Sequence, residues 1–386
     1  MNFQLTEQQR SIRDEYRRFV SDVIEPGATQ RDQVGEFHYD LIPKLADSGI
    51  FALPFAEEVG GLGGSAVEYA LALEEVSRSD ISVAMTVANQ VGLSALPIVA
   101  FGSPAQKERW LVPLFRGETL GCFALTEPGG GSDNRGMKTT ATRVSSGWSI
   151  SGSKLFITNA GTDMTGFLIV AARTGTAADG RPQIGAFLVE RATHGLTLGP
   201  PLNKTGWRSS DTRAVYLDNC LVPEDSALGD PQRGLRTMLG TLKFGRIQIA
   251  TMCVGLAQRA LEEAVSYATQ RRAFGKPISE YQGTSFKMSD MALGVHAARL
   301  LTLEAAWRRD QALEYGPQAG EAKLFASEVA MKSAHDCVQI HGGSGFMDDT
   351  VPSRLFRDAK GLEIGEGTSE IQRMLIAREA LGGKFA

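Results

Sequence analysis

Glu366 stands between two glycines in the run Gly361-Leu362-Glu363-Ile364-Gly365-Glu366-Gly367-Thr368-Ser369-Glu370-Ile371-Gln372-Arg373. Flanking glycines free the backbone for unusual dihedrals and leave the carboxylate uncrowded. A base that must reach a substrate carbon needs that access. The same pattern also fits a solvated loop glutamate, the commoner fate of a surface carboxylate. Ser369 and Gln372 match an S-x-x-Q capping box, so a helix is expected to begin there and run through Leu375, Ile376 and Ala380, with Glu366 in the turn before it. Three further segments carry groups that could bind a ligand. In Leu125-Thr126-Glu127-Pro128-Gly129-Gly130-Gly131-Ser132-Asp133, consecutive glycines permit close backbone approach, and Thr126 and Ser132 supply hydroxyls. In Gln270-Arg271-Arg272-Ala273-Phe274-Gly275-Lys276-Pro277-Ile278, followed by Tyr281-Gln282, paired arginines at a helix end either satisfy carbonyls or grip a pyrophosphate. Gln339-Ile340-His341-Gly342-Gly343-Ser344-Gly345-Phe346 is a glycine-rich helix exit. Taken singly, each of these three reads more simply as a turn or cap than as a ligand site.

Metal and nucleophile chemistry fit less well. His335 and His341 are six apart and do not share a helix face, with no cysteine or carboxylate to complete a ligand set. No G-x-S-x-G elbow occurs. The cluster Gly60-Gly61-Leu62-Gly63-Gly64 does not spell a dinucleotide fingerprint and is expected to be a turn.

The elements that must position these groups fall into three textures. Thr6 and Gln9 form a candidate capping box, after which Ile12, Tyr16, Phe19, Val20 and Val23 recur at helical spacing. From about Gly121, short β-prone runs alternate with Gly, Asp and Ser breaks: Cys122 to Thr126, Leu155 to Thr158, Ala186 to Val189 and Val215 to Leu217. Beyond about Asp230 the helical period returns, with Ile247, Ala250, Val254, Ala257, Leu261 and Ala264 on one face. The expectation is an α+β chain: a helical domain at 1–120, a central antiparallel β domain at 121–230 and a four-helix-bundle-like domain at 231–386.

Bulk properties narrow the partners. The chain has 386 residues, 42% of them hydrophobic and 22% charged, with a formal charge of -4. Such mild acidity gives no reason to expect nucleic acid. No basic segment followed by an apolar one opens the sequence, and the run from Val91 to Phe101, broken by Ser94 and Pro97, is too short to span a bilayer. Cys122, Cys220, Cys253 and Cys337 form no CxxC pair, which suits reduced thiols and a cytoplasmic location.

Together the segments resemble the acyl-CoA dehydrogenase family, over essentially the whole chain. The order carries the resemblance: Thr126 to Asp133, then Phe156-Ile157-Thr158-Asn159, then Arg271 to Gly275, then Gln339 to Gly343, then Glu366-Gly367-Thr368. It implies FAD held between the β domain and the C-terminal helices, with Phe123, Leu125, Thr126, Phe156, Ile157 and Thr158 along the isoalloxazine ring. Phe156 stands where many relatives carry tryptophan, so an aromatic face is kept. Arg271, Phe274, Tyr281, Gln282, Gln339 and Gly343 are implied to contact FAD, several across a subunit interface of a homotetramer. Thr368 and Glu370 are implied near the adenine end. Ser132, Phe244, Arg246, Gly365 and Gly367 are implied at the substrate. Glu366 is implied to take the α-proton of an acyl thioester while the β-hydrogen leaves as hydride, giving a 2-enoyl thioester in fatty acid or branched-chain acyl metabolism, with an electron-transfer flavoprotein as re-oxidant.

Two departures from the family pattern bear on the substrate. Gly365 replaces the tyrosine of many straight-chain relatives, which suggests a branched or bulky acyl group. Lys243 stands where many relatives place Asp or Asn near the carrier arm, which leaves open an acyl-carrier-protein thioester. Gly245, just before Arg246, leaves the alternative base position of some branched-chain relatives without a carboxylate, so Glu366 is the base that the match supports. Oxygen-using oxidases and monooxygenases of the same fold usually lack the glutamate, and a non-catalytic flavin-binding scaffold would be expected to show a damaged base or cofactor loop.

Overall fold

A computed structural model describes residues 4–133 and 136–382. Helices come first: α1 (Glu7–Phe19), α2 (Ala28–Val34), α3 (Ile42–Asp47), α4 (Ala66–Ser79), α5 (Ile81–Ala88), α6 (Leu96–Phe101) and α7 (Pro104–Phe115). The expected Thr6 and Gln9 capping box starts α1, each partner bonding the other's backbone N–H. A π-helical stretch, Asn89–Ala95, joins α5 to α6, so the run Ile81–Phe101 is 21 residues of continuous helix. That corrects the view of this region as too short to cross a bilayer: by length and composition it could. Its most apolar window is 78% buried within the fold, as in the core helix of a globular protein.

Strands follow: β1 (Leu120–Ala124), β2 (Thr140–Val144), β3 (Gly147–Thr158), β4 (Thr165–Thr176), β5 (Pro182–Glu190), β6 (Leu196–Leu198) and β7 (Thr212–Val222). They order as β1-β4-β2-β3-β7-β6, with β5 also on β4. Most pairings are antiparallel, but β1 runs parallel to β4, which corrects the expectation of a wholly antiparallel sheet. The β2–β3 hairpin lies between them in sequence and supplies the long crossover that a parallel pair needs.

The C-terminal part comprises α8 (Gly234–Gln270), the small hairpin β8 (Arg272–Ala273) and β9 (Lys276–Pro277), α9 (Gln282–Asp310), α10 (Gly316–His341), α11 (Val351–Ile364) and α12 (Ser369–Ala380). At 37 residues, α8 runs about 55 Å and packs against α4, α9, α10 and α11. Ala250, Ala257, Ala260, Ala264 and Ala268 on α8, and Ala319, Ala322, Ala326, Ala330 and Ala334 on α10, are all buried. Small side chains at this spacing let two long helices approach closely and hold each other straight. One cluster of buried residues joins both helical parts through α8 and α4, while the strands also enclose a core of their own around Trp148, Ile150, Phe187 and Val215. The turn that carries Glu366 follows α11 and lies against α8 at Gly245.

Candidate functional site

Glu366 sits in the four-residue link between α11 and α12. Gly365 ends α11 in an extended conformation, Glu366 takes φ +57° and Gly367 φ +97°. A left-handed non-glycine residue costs about 1–2 kcal/mol, so the surroundings must hold it there. Gln372 donates to the carbonyls of Gly367 (3.0 Å) and Glu366 (3.4 Å). The helix cap differs from the sequence expectation: Thr368, not Ser369, accepts from the backbone of Ile371, which frees the Gln372 side chain to turn back over the link.

The carboxyl group is the site's central feature. Its Oε2 is buried with no hydrogen-bond partner among the described residues. Burial raises its pKa to about 7, although the positive charges of Arg246 and Lys323 act to lower it. Arg246, on α8, likewise has a buried Nε without a partner. A Cβ placed on Gly245 would overlap Oε2 of Glu366, so this glycine leaves the slot that the carboxylate fills. A proton acceptor poised near neutrality, buried and without a hydrogen-bond partner, is suited to abstracting a proton from carbon.

Trp207 covers the other side of the link. Its backbone N–H donates to Asp358 Oδ1 (2.7 Å) and its indole N–H to the Asp358 carbonyl (3.0 Å). The indole lies against Gly361 and within contact distance of a side chain placed at Gly365. An aromatic ring therefore stands beside position 365 even though that residue is glycine. Asp358 is buried, which pushes its pKa up to about 7 despite the bond from Trp207.

A second group of residues assembles at the ends of β1 and β3. The Leu155 N–H donates to the Thr126 carbonyl (2.9 Å), which brings Phe123, Leu125 and Thr126 beside Phe156, Ile157 and Thr158. Behind them Glu127 accepts from the backbone N–H of Lys138 (2.7 Å) and Thr139 (2.9 Å) and from Lys154 Nζ (2.9 Å), which also reaches the Leu125 carbonyl (3.2 Å). Burial would raise the Glu127 pKa, but these bonds hold it down to about 2. Phe156 is 63% exposed at φ +62°, an unusual posture for an aromatic residue. Thr126 and Thr158 are half-buried, while the Ile157 side chain points into the strand core, so only its backbone can meet a ligand. An exposed aromatic face next to two hydroxyls and free strand ends fits the flat, polar-edged ring of FAD.

The other residues that the family resemblance implies for the cofactor lie on other elements. Phe274 caps the β8–β9 hairpin, 97% exposed at φ +49°. The Tyr281 hydroxyl is spent on the Ala273 carbonyl (2.9 Å), so it shapes the hairpin. Arg271, Gln282, Gln339 and Gly343 are all exposed, as is Glu370 in the first turn of α12, and Thr368 serves as its cap. On the substrate side, Ser132 is exposed, whereas Phe244 is fully buried between Tyr69 and Arg309. Phe244 thus presents no surface to a ligand in this structure. Gly365 and Gly367 flank Glu366 in the link between α11 and α12.

Sequence reasoning did not single out Lys323, Asp358 or Trp207. Lys323 carried a readable signal: a lysine on the same helical stripe as Ala319, Ala326 and Ala330 interrupts an otherwise small and apolar face. Asp358 and Trp207 are 151 positions apart, and nothing local links them.

Comparison with known proteins agrees along the whole length. Family models for the acyl-CoA dehydrogenase N-terminal, middle and C-terminal domains match residues 6–118, 122–220 and 232–381. A probable acyl-CoA dehydrogenase of Bacillus subtilis is 44% identical over 99% of this chain and 100% of its own length. The mitochondrial short-chain specific acyl-CoA dehydrogenase of Homo sapiens is 41% identical over 98% and 91%. Among solved structures, butyryl-CoA dehydrogenase from Megasphaera elsdenii superposes with a TM-score of 0.95 at 39% identity, covering 99% and 100% of the two chains. A chain from a structure described as the electron transferring flavoprotein of Acidaminococcus fermentans gives 0.95 at 36% identity, covering 99% and 100%. A glutaryl-CoA dehydrogenase from Mycobacterium smegmatis in complex with FADH2 gives 0.93 at 31% identity, covering 99% and 96%.

Proposed function

Because this chain belongs to the acyl-CoA dehydrogenase family, we propose that it converts a short acyl-CoA to its 2-enoyl-CoA, with Glu366 taking the proton from the carbon next to the thioester. The chain is an FAD-dependent enzyme, as the family's members are. The observation that carries the assignment of the base is its buried, unpartnered Oε2 on a carboxyl group with a pKa near 7. An exposed carboxylate would be too weak a base for a hydrogen beside a thioester. Burial strengthens it, and Arg246 keeps part of the population ionised at neutral pH. FAD, when bound, supplies the acceptor for the β-hydrogen as hydride.

The chain's own residues do the rest. Phe123, Leu125, Thr126 and Phe156 to Thr158 would seat the flavin ring, and the buried Glu127–Lys154 pair behind them keeps that ledge rigid. Arg271, Phe274, Gln282, Gln339 and Gly343 would serve the cofactor of a second copy in a homotetramer. This reading is supported by Phe274 and Phe346, exposed at 97% and 77% in the single chain. Thr368 and Glu370 would lie toward the adenine end, and Ser132, Arg246, Gly365 and Gly367 toward the substrate. Similarity to the chain in the Acidaminococcus fermentans structure supports an electron-transfer flavoprotein as re-oxidant. Four free, buried cysteines suit a cytoplasmic setting.

For the acyl group, short chains are favoured by the short-chain and butyryl-CoA relatives and by the Trp207 wall beside Gly365. A branched or bulky acyl group is the second reading, favoured by Gly365 itself. Anaerobic titration of the holoenzyme with straight, branched and aryl thioesters, on CoA and on a carrier protein, separates them. Fastest bleaching of the oxidised flavin band by butyryl-CoA supports the first reading; preference for a branched or aryl thioester replaces it with the second. Bleaching only by carrier-bound substrates overturns the CoA assignment.

A further inference from the structure

Lys323 has no exposed surface, yet its ammonium group is not in an ion pair with any described carboxylate. It rises from the second turn of α10 and donates to two backbone carbonyls, Glu363 at 3.0 Å and Gly367 at 2.9 Å. One belongs to the last turn of α11 and the other follows the base directly. The two bonds therefore span the link that carries Glu366, from one side of the left-handed residues to the other. A buried lysine is costly unless its donors are satisfied, so a hydrocarbon side chain would have been the simpler way to fill this place on an alanine-lined helix.

Building on the assignment of Glu366 as base, we propose that Lys323 is a positioning residue for the reaction. Its ammonium group clamps the Glu363 and Gly367 carbonyls and holds the Glu366 carboxylate in the slot opposite Gly245. The slot has no slack, since a single added carbon at Gly245 would collide with Oε2. A displacement of about 1 Å in a catalytic group costs on the order of 100-fold in rate, so the backbone of the link has to be fixed as firmly as the side chain. Gln372 grips the same Gly367 carbonyl from α12 but carries no charge. Lys323 adds a positive charge under the base as well as a clamp. The groups facing it are Glu363 and Glu366 on and after α11, and Arg246 and Cys253 on α8.

The test compares holoenzyme carrying Lys323→Met or Lys323→Gln with the unsubstituted holoenzyme, each shown to retain FAD by its absorbance. Anaerobic flavin reduction by butyryl-CoA is followed across pH 5 to 9. The expected result is a fall of about 10- to 100-fold in the limiting reduction rate, with little change in half-saturating substrate and a pH midpoint displaced upward. A residue that merely filled space would lower thermal stability and leave rate and midpoint where they were, and that result overturns the proposal. If unsubstituted enzyme shows no reduction by any thioester, the reading of the function fails instead. A crystal structure of the unsubstituted holoenzyme tests the clamp independently of both activity and the folding of variants. Lys323 Nζ within about 3.2 Å of both carbonyls supports it, and a side chain turned away from either one overturns it.

Discussion

Two buried lysines serve this molecule in different ways. Lys154, at the cofactor ledge, meets Glu127 at 2.9 Å, and the carboxylate in turn receives two backbone N–H groups, so charge is cancelled locally. Lys323, at the base, meets only carbonyl oxygens, and its charge is left to act on Glu366 nearby. The first arrangement makes a neutral, rigid platform for a cofactor. The second makes a rigid link beside positive charge, which acts to lower the raised pKa of Glu366, the proposed base. Burial raises the carboxyl's pKa in one place, while hydrogen bonds overcome that effect in the other: about 7 for Glu366 and about 2 for Glu127.

The comparison is broken most severely by Glu366→Gln. The amide keeps the shape and loses the base, so flavin reduction should fall by about 100- to 10,000-fold while FAD remains bound, as followed by stopped-flow absorbance. Lys154→Met should leave Glu127 as a buried charge with only its backbone donors. A loss of about 3–5 kcal/mol is expected in urea unfolding of the holoenzyme. Gly245→Ala is expected to push the carboxylate out of its slot, with kcat down about 10- to 100-fold and FAD content unchanged.

Acidity separates the two regions further. In the free enzyme, kcat/KM should rise with pH through about 7 as Glu366 ionises and then level. Glu127 has a folded-state pKa below its unfolded value. Its contribution to stability is therefore present above pH 4.5 and is lost as pH falls towards 2. Glu366 and Asp358 have the opposite sign. Their raised values contribute stability at low pH, which is lost as pH rises through about 7. Thermal unfolding scans of the unsubstituted protein and of Asp358→Asn between pH 4 and 8 check this, the variant being expected to show the weaker decline on the alkaline side.

Local signals made part of this legible in the sequence. The Thr6 cap, the apolar face of α8 from Ile247 to Ala264, and the change of texture near Gly121 follow from periodicity and turn chemistry, which act over a few residues. The helix after Glu366 was visible too, although its cap was displaced by one residue, because Gln372 is used to hold the link and not to close a capping box. What stayed hidden depends on distant partners. The parallel pairing of β1 with β4, the packing of Trp207 over Gly365, and the Gly245 slot join positions 45 to 158 residues apart. The glycine at 365 suggested open space. The indole that borders this space comes from a loop before β7, and no local pattern announces it.

The most direct test is an anaerobic titration of purified holoenzyme with butyryl-CoA, run beside Glu366→Gln. The account requires the oxidised flavin band to bleach in the unsubstituted enzyme and to persist in the variant, with both holding FAD. Equal bleaching in the variant would place the base elsewhere and contradict the reading of the Glu366 slot.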